Sequence, residues 1–441
     1  MKKNSIWSNN NYTNYNELSN DLDADVLIIG GGITGVSTLY HLRNSDLKVA
    51  LVEQNKIAMS TTSKSTGKLT FLQNDLIDKI RDKYDDDKAL EYLSSQIDAI
   101  KSIVEVIKSE KIKCDLEKVD SYLYTNKVSE IDKIKSLEKF LNKNNIKTFH
   151  NSNNLVKSKY MINVKDTYVF NPVKFVYGLL KNNKYPIYEN TSIRDIKYED
   201  NYYICKTNKN IIKTKYVVLA SHYPYFLIPY MFPFKVSLEK SYLSASKYKS
   251  NSFSLISYSN PFISIRIYKD YLIYLSNSHS IDMDVCDKDN YNELLKKVHD
   301  LGITPEYIWS NIDIITCDGL PIIGKLSKNM LIGTGYNTWG LGNGFLAGKI
   351  LSDLIKKKKN SYEKLFDPNR LSLKLPSNIL KNIDGYVKGY LKGSKYICPH
   401  LGCKLIYNEI DKTFDCPCHG SRFDESGKCI SAPANKDIEI K

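Results

Sequence analysis

The segment that most constrains this chain is Asp25-Val26-Leu27-Ile28-Ile29, which runs straight into Gly30-Gly31-Gly32. The apolar run reads as a strand, and Val36-Ser37-Thr38-Leu39-Tyr40-His41-Leu42 reads as a helix. Lys48-Val49-Ala50-Leu51-Val52-Glu53 supplies the next strand. That order predicts a parallel β-α-β unit. The glycines have the spacing Gly30-x-Gly32-x-x-Gly35, and the second strand ends on Glu53. The first glycine permits the tight turn, the second lets backbone approach a pyrophosphate, and the third lets helix and strand pack closely. Ile33 and Thr34 open the helix, where free N–H groups and the positive dipole end favour a phosphate. Glu53 suits ribose hydroxyls, and its charge disfavours a 2′-phosphate. The pattern predicts a dinucleotide site and leaves FAD and NAD both open.

Further along, residues 75–110 carry Leu90, Leu93, Ile97, Ile100, Val104 and Ile107 at helical steps. Ser129 with Asp132 is expected to cap a helix over 130–143. Residues 186–222 and 234–282 alternate like strands, with Ile263, Ile265 and Ile267 on one face. Met330-Leu331-Ile332-Gly333 reads as a strand, followed by a helix from about Gly342 to Lys358. Residues 360–392 show no periodicity and read as a linker.

The formal charge of +14 invites a nucleic-acid or anionic partner. Lysine, however, travels here with abundant Asn, Ile and Tyr, as an AT-rich coding sequence would give. Residues 394–441 hold seven basic and seven acidic residues. The one true run, Lys356 to Lys359, ends an expected helix, where lysines offset the macrodipole. No nucleic-acid partner is therefore expected. No apolar stretch reaches the roughly 18 residues of a membrane helix. The N-terminus lacks an apolar signal core, so a cytoplasmic location is expected.

Five of the nine cysteines fall in the last 44 residues. In a chain expected to stay in the cytoplasm, such clustering favours metal binding over a disulfide scaffold. The tail reads Cys398-Pro399-His400-Leu401-Gly402-Cys403 and Cys416-Pro417-Cys418-His419-Gly420-Ser421. Two Cys and two His on paired loops can hold a 2Fe–2S cluster in which histidines replace cysteines on one iron. A Cys₂His₂ zinc site is the competing reading, but it needs neither Cys403 nor Cys418.

At several places the chain resembles the D-amino-acid oxidase / glycine oxidase superfamily of FAD enzymes. They are Asp25 to Gly35, Thr61 to Lys68, Ala220-Ser221-His222-Tyr223-Pro224, Asp318 to Gly324, and Gly333 to Gly340. The resemblance spans about residues 25–358, and the tail resembles a Rieske domain. It implies FAD, with Gly30, Gly32, Gly35 and Glu53 on the ADP half. Ser65, Thr66, Gly67 and Lys68, Ala220, and Trp339-Gly340-Leu341 would lie near the flavin. Gly342-x-Gly344-x-x-x-Gly348 would belong to the same helix start, since no second acidic-ended strand follows. For the tail it implies Cys398, His400, Cys416 and His419 as cluster ligands and a Cys403–Cys418 disulfide. Ser421 would bond cluster sulfur, and Ala432-Pro433-Ala434 would cover the cluster. Phe423 departs from the tyrosine of many high-potential Rieske proteins, which should lower the potential. The stretch before Cys398 is short, so a minimal domain leaning on its neighbour is expected.

The implied fold class is α/β: a Rossmann-like FAD domain interleaved with an antiparallel substrate subdomain, plus a small all-β Rieske domain. The expected division is an N-terminal arm over 1–24, the oxidoreductase over 25–358, a linker over 359–392 and the Rieske domain over 393–441. The remaining histidines, His41, His150, His222, His279 and His299, are isolated. No mononuclear iron triad is in view, so an oxygenase is excluded. The expected activity is an FAD-dependent dehydrogenase taking hydride from a small amine, amino acid or hydroxy acid. Electrons would leave through the 2Fe–2S cluster to an external acceptor. The alternative is an electron-transfer module between protein partners without small-substrate turnover. Arg266, in a strand of the expected substrate sheet, is the candidate to pair a substrate carboxylate. Tyr242 and His222 are weaker candidates, His222 being expected to pack beside the FAD site.

Overall fold

The computed structural model describes residues 1–8, 12–224, 232–259, 262–281, 286–370 and 393–440. Within them the β-branched runs form three sheets. In the first, six strands follow the order Ile322–Ser327, Met330–Thr334, Ile211–Leu219, Leu22–Ile29, Val49–Val52 and Ile187–Tyr188. All neighbours are parallel except the first pair. The hairpin of Asp195–Glu199 and Tyr202–Lys206 extends this sheet. Val49–Val52 is buried throughout, as a central parallel strand covered on both faces must be.

Helix Ile33–Leu42 lies against helix Gly340–Ile355, and small residues set their approach. A side chain at Gly348 would strike Ser37 at 2.4 Å, and the Ser37 hydroxyl donates to Phe345 O at 2.8 Å. The second glycine set is thus a helix-packing device as well as a helix start.

The second sheet has eight strands. Its edge strand is Pro305–Thr316, beside Val236–Lys247, then Tyr271–Ser280, Ser264–Tyr268, Ser254–Ser257, Glu117–Thr125, Tyr160–Val169 and Lys68–Leu69. It is antiparallel except between Ser254–Ser257 and Glu117–Thr125. Its strands come from between those of the first sheet, so the two subdomains are interleaved. Along Val236–Lys247 and Pro305–Thr316 the side chains alternate between two faces. This alternation governs the site below. The third sheet is a four-stranded antiparallel meander: Ile406–Asn408, Thr413–Asp415, Arg422–Asp424 and Cys429–Ser431.

Four expectations change. Residues 75–110 form two helices, Leu76–Lys83 and Asp86–Ser109, because the Asp85 carboxylate accepts from Lys88 N at 2.7 Å and starts the second. Helix Ile131–Lys143 has no side-chain cap, since Ser129 lies in a preceding 3-10 turn. The N-terminal arm is not a solvated extension. Trp7 is fully buried, donates its indole N–H to Ser65 O at 2.8 Å and packs edge-on against Tyr268. The start of the expected linker is packed too: Leu365 and Phe366 are fully buried, and Arg370 pairs with Asp318 at 2.7 Å. The rest of that linker, 371–392, lies outside the described residues. Among those residues no helix is long and apolar enough to cross a membrane.

Candidate functional site

A cleft opens where the glycine turn, the first helix and the second sheet meet. Counted out to its open, solvent-filled mouth, its empty space is about 1980 Å³. Gly30, Gly32, Ile33 and Thr34 line one end with Glu53. Gly30 has φ +113°, and a side chain there would meet Ala220 O at 2.5 Å. Gly35 stands behind the turn, with Gly30 O only 1.9 Å from where its Cβ would be, and so serves packing rather than the cleft. The Glu53 carboxylate accepts from Gly31 N at 2.7 Å and Asn55 N at 2.8 Å. Burial raises its pKa, with Glu189 adding to the rise.

Ala220 lies beside Gly30, and the other end is lined by Ser65, Thr66, Lys68, Trp339, Gly340 and Leu341. Helix Gly340–Ile355 begins here without a side-chain cap, so its first N–H groups face the cleft uncapped. The preceding turn is held by Asn337, whose Oδ1 accepts from Thr316 N at 2.7 Å and whose amide donates to Gly319 O at 2.8 Å. Thr338, β-branched at φ +70°, is strained in the left-handed region. The Trp339 indole N–H is buried, lines the cleft and has no protein acceptor. Gln96 donates to Asn343 Oδ1 at 2.8 Å and Asn343 to Trp339 O at 3.0 Å, tying the helix start to helix Asp86–Ser109. A glycine cradle, a buried ribose-type carboxylate, an uncapped helix start and an orphan indole donor together fit FAD.

Several functional assignments need correction. Arg266 does not reach the cleft. It is fully buried, and its Nη1 donates to Thr66 O at 2.8 Å, Gly67 O at 2.5 Å and Phe170 O at 3.0 Å. Its guanidinium lies beside the paired Trp7 and Tyr268 rings, 5.5 and 5.3 Å from their centroids. It holds the 65–67 loop from behind and cannot clamp a substrate carboxylate. Gly67 likewise backs onto Arg266 rather than lining the cleft, since a side chain there would strike Nη1 at 2.3 Å. Tyr242 points to the opposite face of its strand, where its hydroxyl donates to Asp287. His222 does line the cleft, with its ring nitrogen 3.0 Å from Ile312 O; burial lowers its pKa to about 4. Sequence reasoning missed Thr62, whose Oγ1 accepts from Ile33 N at 3.1 Å, and the substrate-side wall of Ser241, Asn311 and Asp313. Burial, with Glu239 adding to it, raises the Asp313 carboxyl to about 7. The two acids are directly paired across Val236–Lys247 and Pro305–Thr316. The polar odd positions of Asn311-Ile312-Asp313-Ile314 were the available signal. Among the described residues lining the cleft there is no arginine.

The tail gathers its ligand types. Cys398 and Cys416 are buried, and His400 and His419 meet with ring centroids 4.9 Å apart at 88°. Hydrogen bonding between the two thiols pulls Cys398 down to about 7 and pushes Cys416 up. Cys403 and Cys418 form a disulfide within 4.8 Å of Cys416 Sγ. Ser421 Oγ bonds Cys398 and accepts from Ala434 N at 2.9 Å. Phe423 is wholly buried in the meander. Two thiols, two imidazoles and a flanking disulfide fit a Rieske cluster better than zinc.

The two bodies meet along Val236–Lys247 and Pro305–Thr316. On the outer face Lys240 pairs with Asp415 at 2.8 Å and Asp287 at 2.8 Å. Arg422 pairs with Asp411 at 2.5 Å and Asp415 at 2.9 Å. Asp411 also accepts from Tyr291 and Ser310. The His419 ring stands edge-on to Tyr223 at 5.5 Å.

The family model for FAD dependent oxidoreductases matches residues 25–354, and that for the Rieske [2Fe-2S] domain matches 378–440. A Bacillus subtilis (strain 168) protein named for a Rieske 2Fe-2S iron-sulfur centre, YhfW, is 29% identical over 96% of this chain and 94% of its own length. The fold is also that of glycine oxidase from Geobacillus kaustophilus, with TM-score 0.66 and 15% identity over 79% of this chain and 99% of that one. L-amino acid deaminase from Proteus vulgaris superposes with TM-score 0.67 and 16% identity over 82% of this chain and 100% of its own.

Proposed function

This chain belongs to the FAD dependent oxidoreductase family and carries a C-terminal Rieske [2Fe-2S] domain, and from that premise we propose that it is an amine dehydrogenase whose electrons leave through the cluster. In this reading the oxidoreductase body takes in the N-terminal arm and runs to residue 370, and the Rieske body includes residues 393–440. Bound FAD supplies a two-electron acceptor, and the cluster supplies a one-electron carrier.

The chain's own residues have distinct tasks. Gly30, Gly32, Ile33 and Thr34 cradle the pyrophosphate, and Glu53 holds the ribose. The start of helix Gly340–Ile355 and the Trp339 indole face the flavin. Cys398, His400, Cys416 and His419 hold the cluster. Asp313 takes the proton of a substrate ammonium, so that the neighbouring C–H can leave as hydride. A carboxyl near 7 is matched to that task at neutral pH. An ionisable Asp313 on the cleft wall favours an amine substrate over a hydroxy acid, since an ammonium has a proton to give up before hydride leaves.

One observation carries the electron route. Ser241, Asn311 and Asp313 line the cleft, while Gly420 of the cluster loop faces Ile312 and Leu238 on the reverse of the same strands, within 3.4 Å of where its Cβ would be. A single sheet layer of roughly 10 Å separates the two sites, which favours an internal electron path to an external acceptor protein.

The test is an anaerobic screen of amines, amino acids and hydroxy acids for loss of flavin absorbance. Bleaching by amines supports the reading. Bleaching by hydroxy acids alone would overturn the substrate class. No bleaching by any of them would favour an electron relay between protein partners.

A further inference from the structure

The cleft is not closed by the oxidoreductase body alone. Its ADP-side wall, formed by Glu53, Gln54 and Asn55, faces Ile430, Ala432 and Pro433 of the Rieske body. The contact is built from both sides. Gln54 and Asn55, directly after the ribose-type carboxylate, donate to Cys429 O at 3.1 and 3.2 Å. Asn435, 8% exposed, donates to Ile193 O at 2.9 Å and Arg194 O at 3.2 Å, and Ser192 Oγ donates to Asn435 O at 3.2 Å.

The same loop is wired to the cluster pocket. Ala434 N donates to Ser421 Oγ, Ser421 Oγ bonds Cys398, and Cys416 N donates to Ser421 O at 2.8 Å. Cys429 Sγ donates to Ala434 O at 3.1 Å. The loop therefore has two faces, one on the adenosine end of the cleft and one on the cluster.

We propose that residues 430–435 are part of the FAD-binding site. They cap the adenosine end, and FAD and cluster thereby stabilise one another. Ile430 and Pro433 offer apolar surface to the adenine, while the Asn435 bridges fix the cap to the 192–194 segment beside Gln54. Because the loop is shared, the coupling is reciprocal: the factor by which an intact cluster tightens FAD is the factor by which FAD tightens the cluster. The inference rests on FAD lying in this cleft and is independent of the amine reading, so the two fail separately.

The experiment uses the full chain with its cluster, stripped of flavin and titrated with FAD while flavin fluorescence is followed. Asn435→Ala is expected to raise the FAD Kd about tenfold or more, through the loss of two buried hydrogen bonds. The unaltered protein is also followed by hydrogen exchange with ADP as the probe. ADP is expected to protect amides in 429–435 and to slow cluster loss to a chelator. An unchanged Kd in a folded Asn435→Ala protein would overturn the proposal. So would absence of ADP protection in 429–435, which needs no variant. A flavin that bleaches with amines while both results are negative would sink the cap and leave the enzyme reading intact.

Discussion

The inner and outer faces of strands Val236–Lys247 and Pro305–Thr316 are equally deep but electrostatically opposite. Outside, every charge has a partner. Arg422 holds Asp411 and Asp415, and Lys240 holds Asp415 and Asp287. Although burial opposes ionisation, these partners keep Asp411 and Asp415 below the usual carboxylate range and hold Lys240 and Arg422 above theirs. Inside, Asp313 and Glu239 oppose each other as like charges with no cation bonded to either, and burial raises both. Partnering, rather than burial, separates an interface that locks from a wall that can exchange a proton. The period-2 alternation of two strands puts both functions on one structural layer.

The comparison breaks most visibly at Arg422. Arg422→Met would leave buried Asp411 without a cation and Asp415 with Lys240 alone, and cost ~3–5 kcal/mol, read by chemical unfolding. A loss under about 1 kcal/mol would mean that the outer network does not lock the Rieske body. Next comes Asp313→Asn, which removes a base without disturbing the lock. Amine turnover should fall by ~10²-fold or more with the fold retained. In the unaltered enzyme kcat/KM should rise as pH passes through about 7, because the base must be ionised; the variant should lose that limb.

The smallest effect concerns stability against pH, and the two faces predict opposite signs. Asp411 and Asp415 are lowered, so their contribution is present above the unfolded pKa of about 4 and is lost as pH falls through their folded values. Asp313 is raised, so its contribution is present below about 4 and is lost as pH rises through about 7. Asp313→Asn should therefore be more stable than the parent above neutral pH, and no more stable in acid. Equal pH profiles would erase the distinction between the faces.

The nucleotide cradle was legible in the sequence because strand, turn, helix and Glu53 lie within one contiguous unit whose chemistry is carried by backbone. The cluster ligands were legible for a similar reason, as two short motifs with little else able to explain them. The substrate wall was not. Ser241 and Asp313 meet only through a long-range strand pairing, and a register read from either strand alone does not say which face is wet. Arg266 misled for the same reason: it lies in the expected substrate sheet, but its side chain was recruited by Trp7 from an arm that looked too polar to be buried. That the tail would lean on its neighbour was legible in the short stretch before Cys398, but which loop meets which wall depends on docking between bodies, which leaves no local trace.

The central claim is that flavin cleft and cluster share one wall and one electron path. Rapid freeze-quench electron-spin resonance after anaerobic mixing with an amine that bleaches the flavin tests it directly. The account predicts that the reduced Rieske signal grows in step with loss of one electron from the reduced flavin, within the same protein molecule and independent of protein concentration. A flavin that stays bleached beside an oxidised, silent cluster would contradict it.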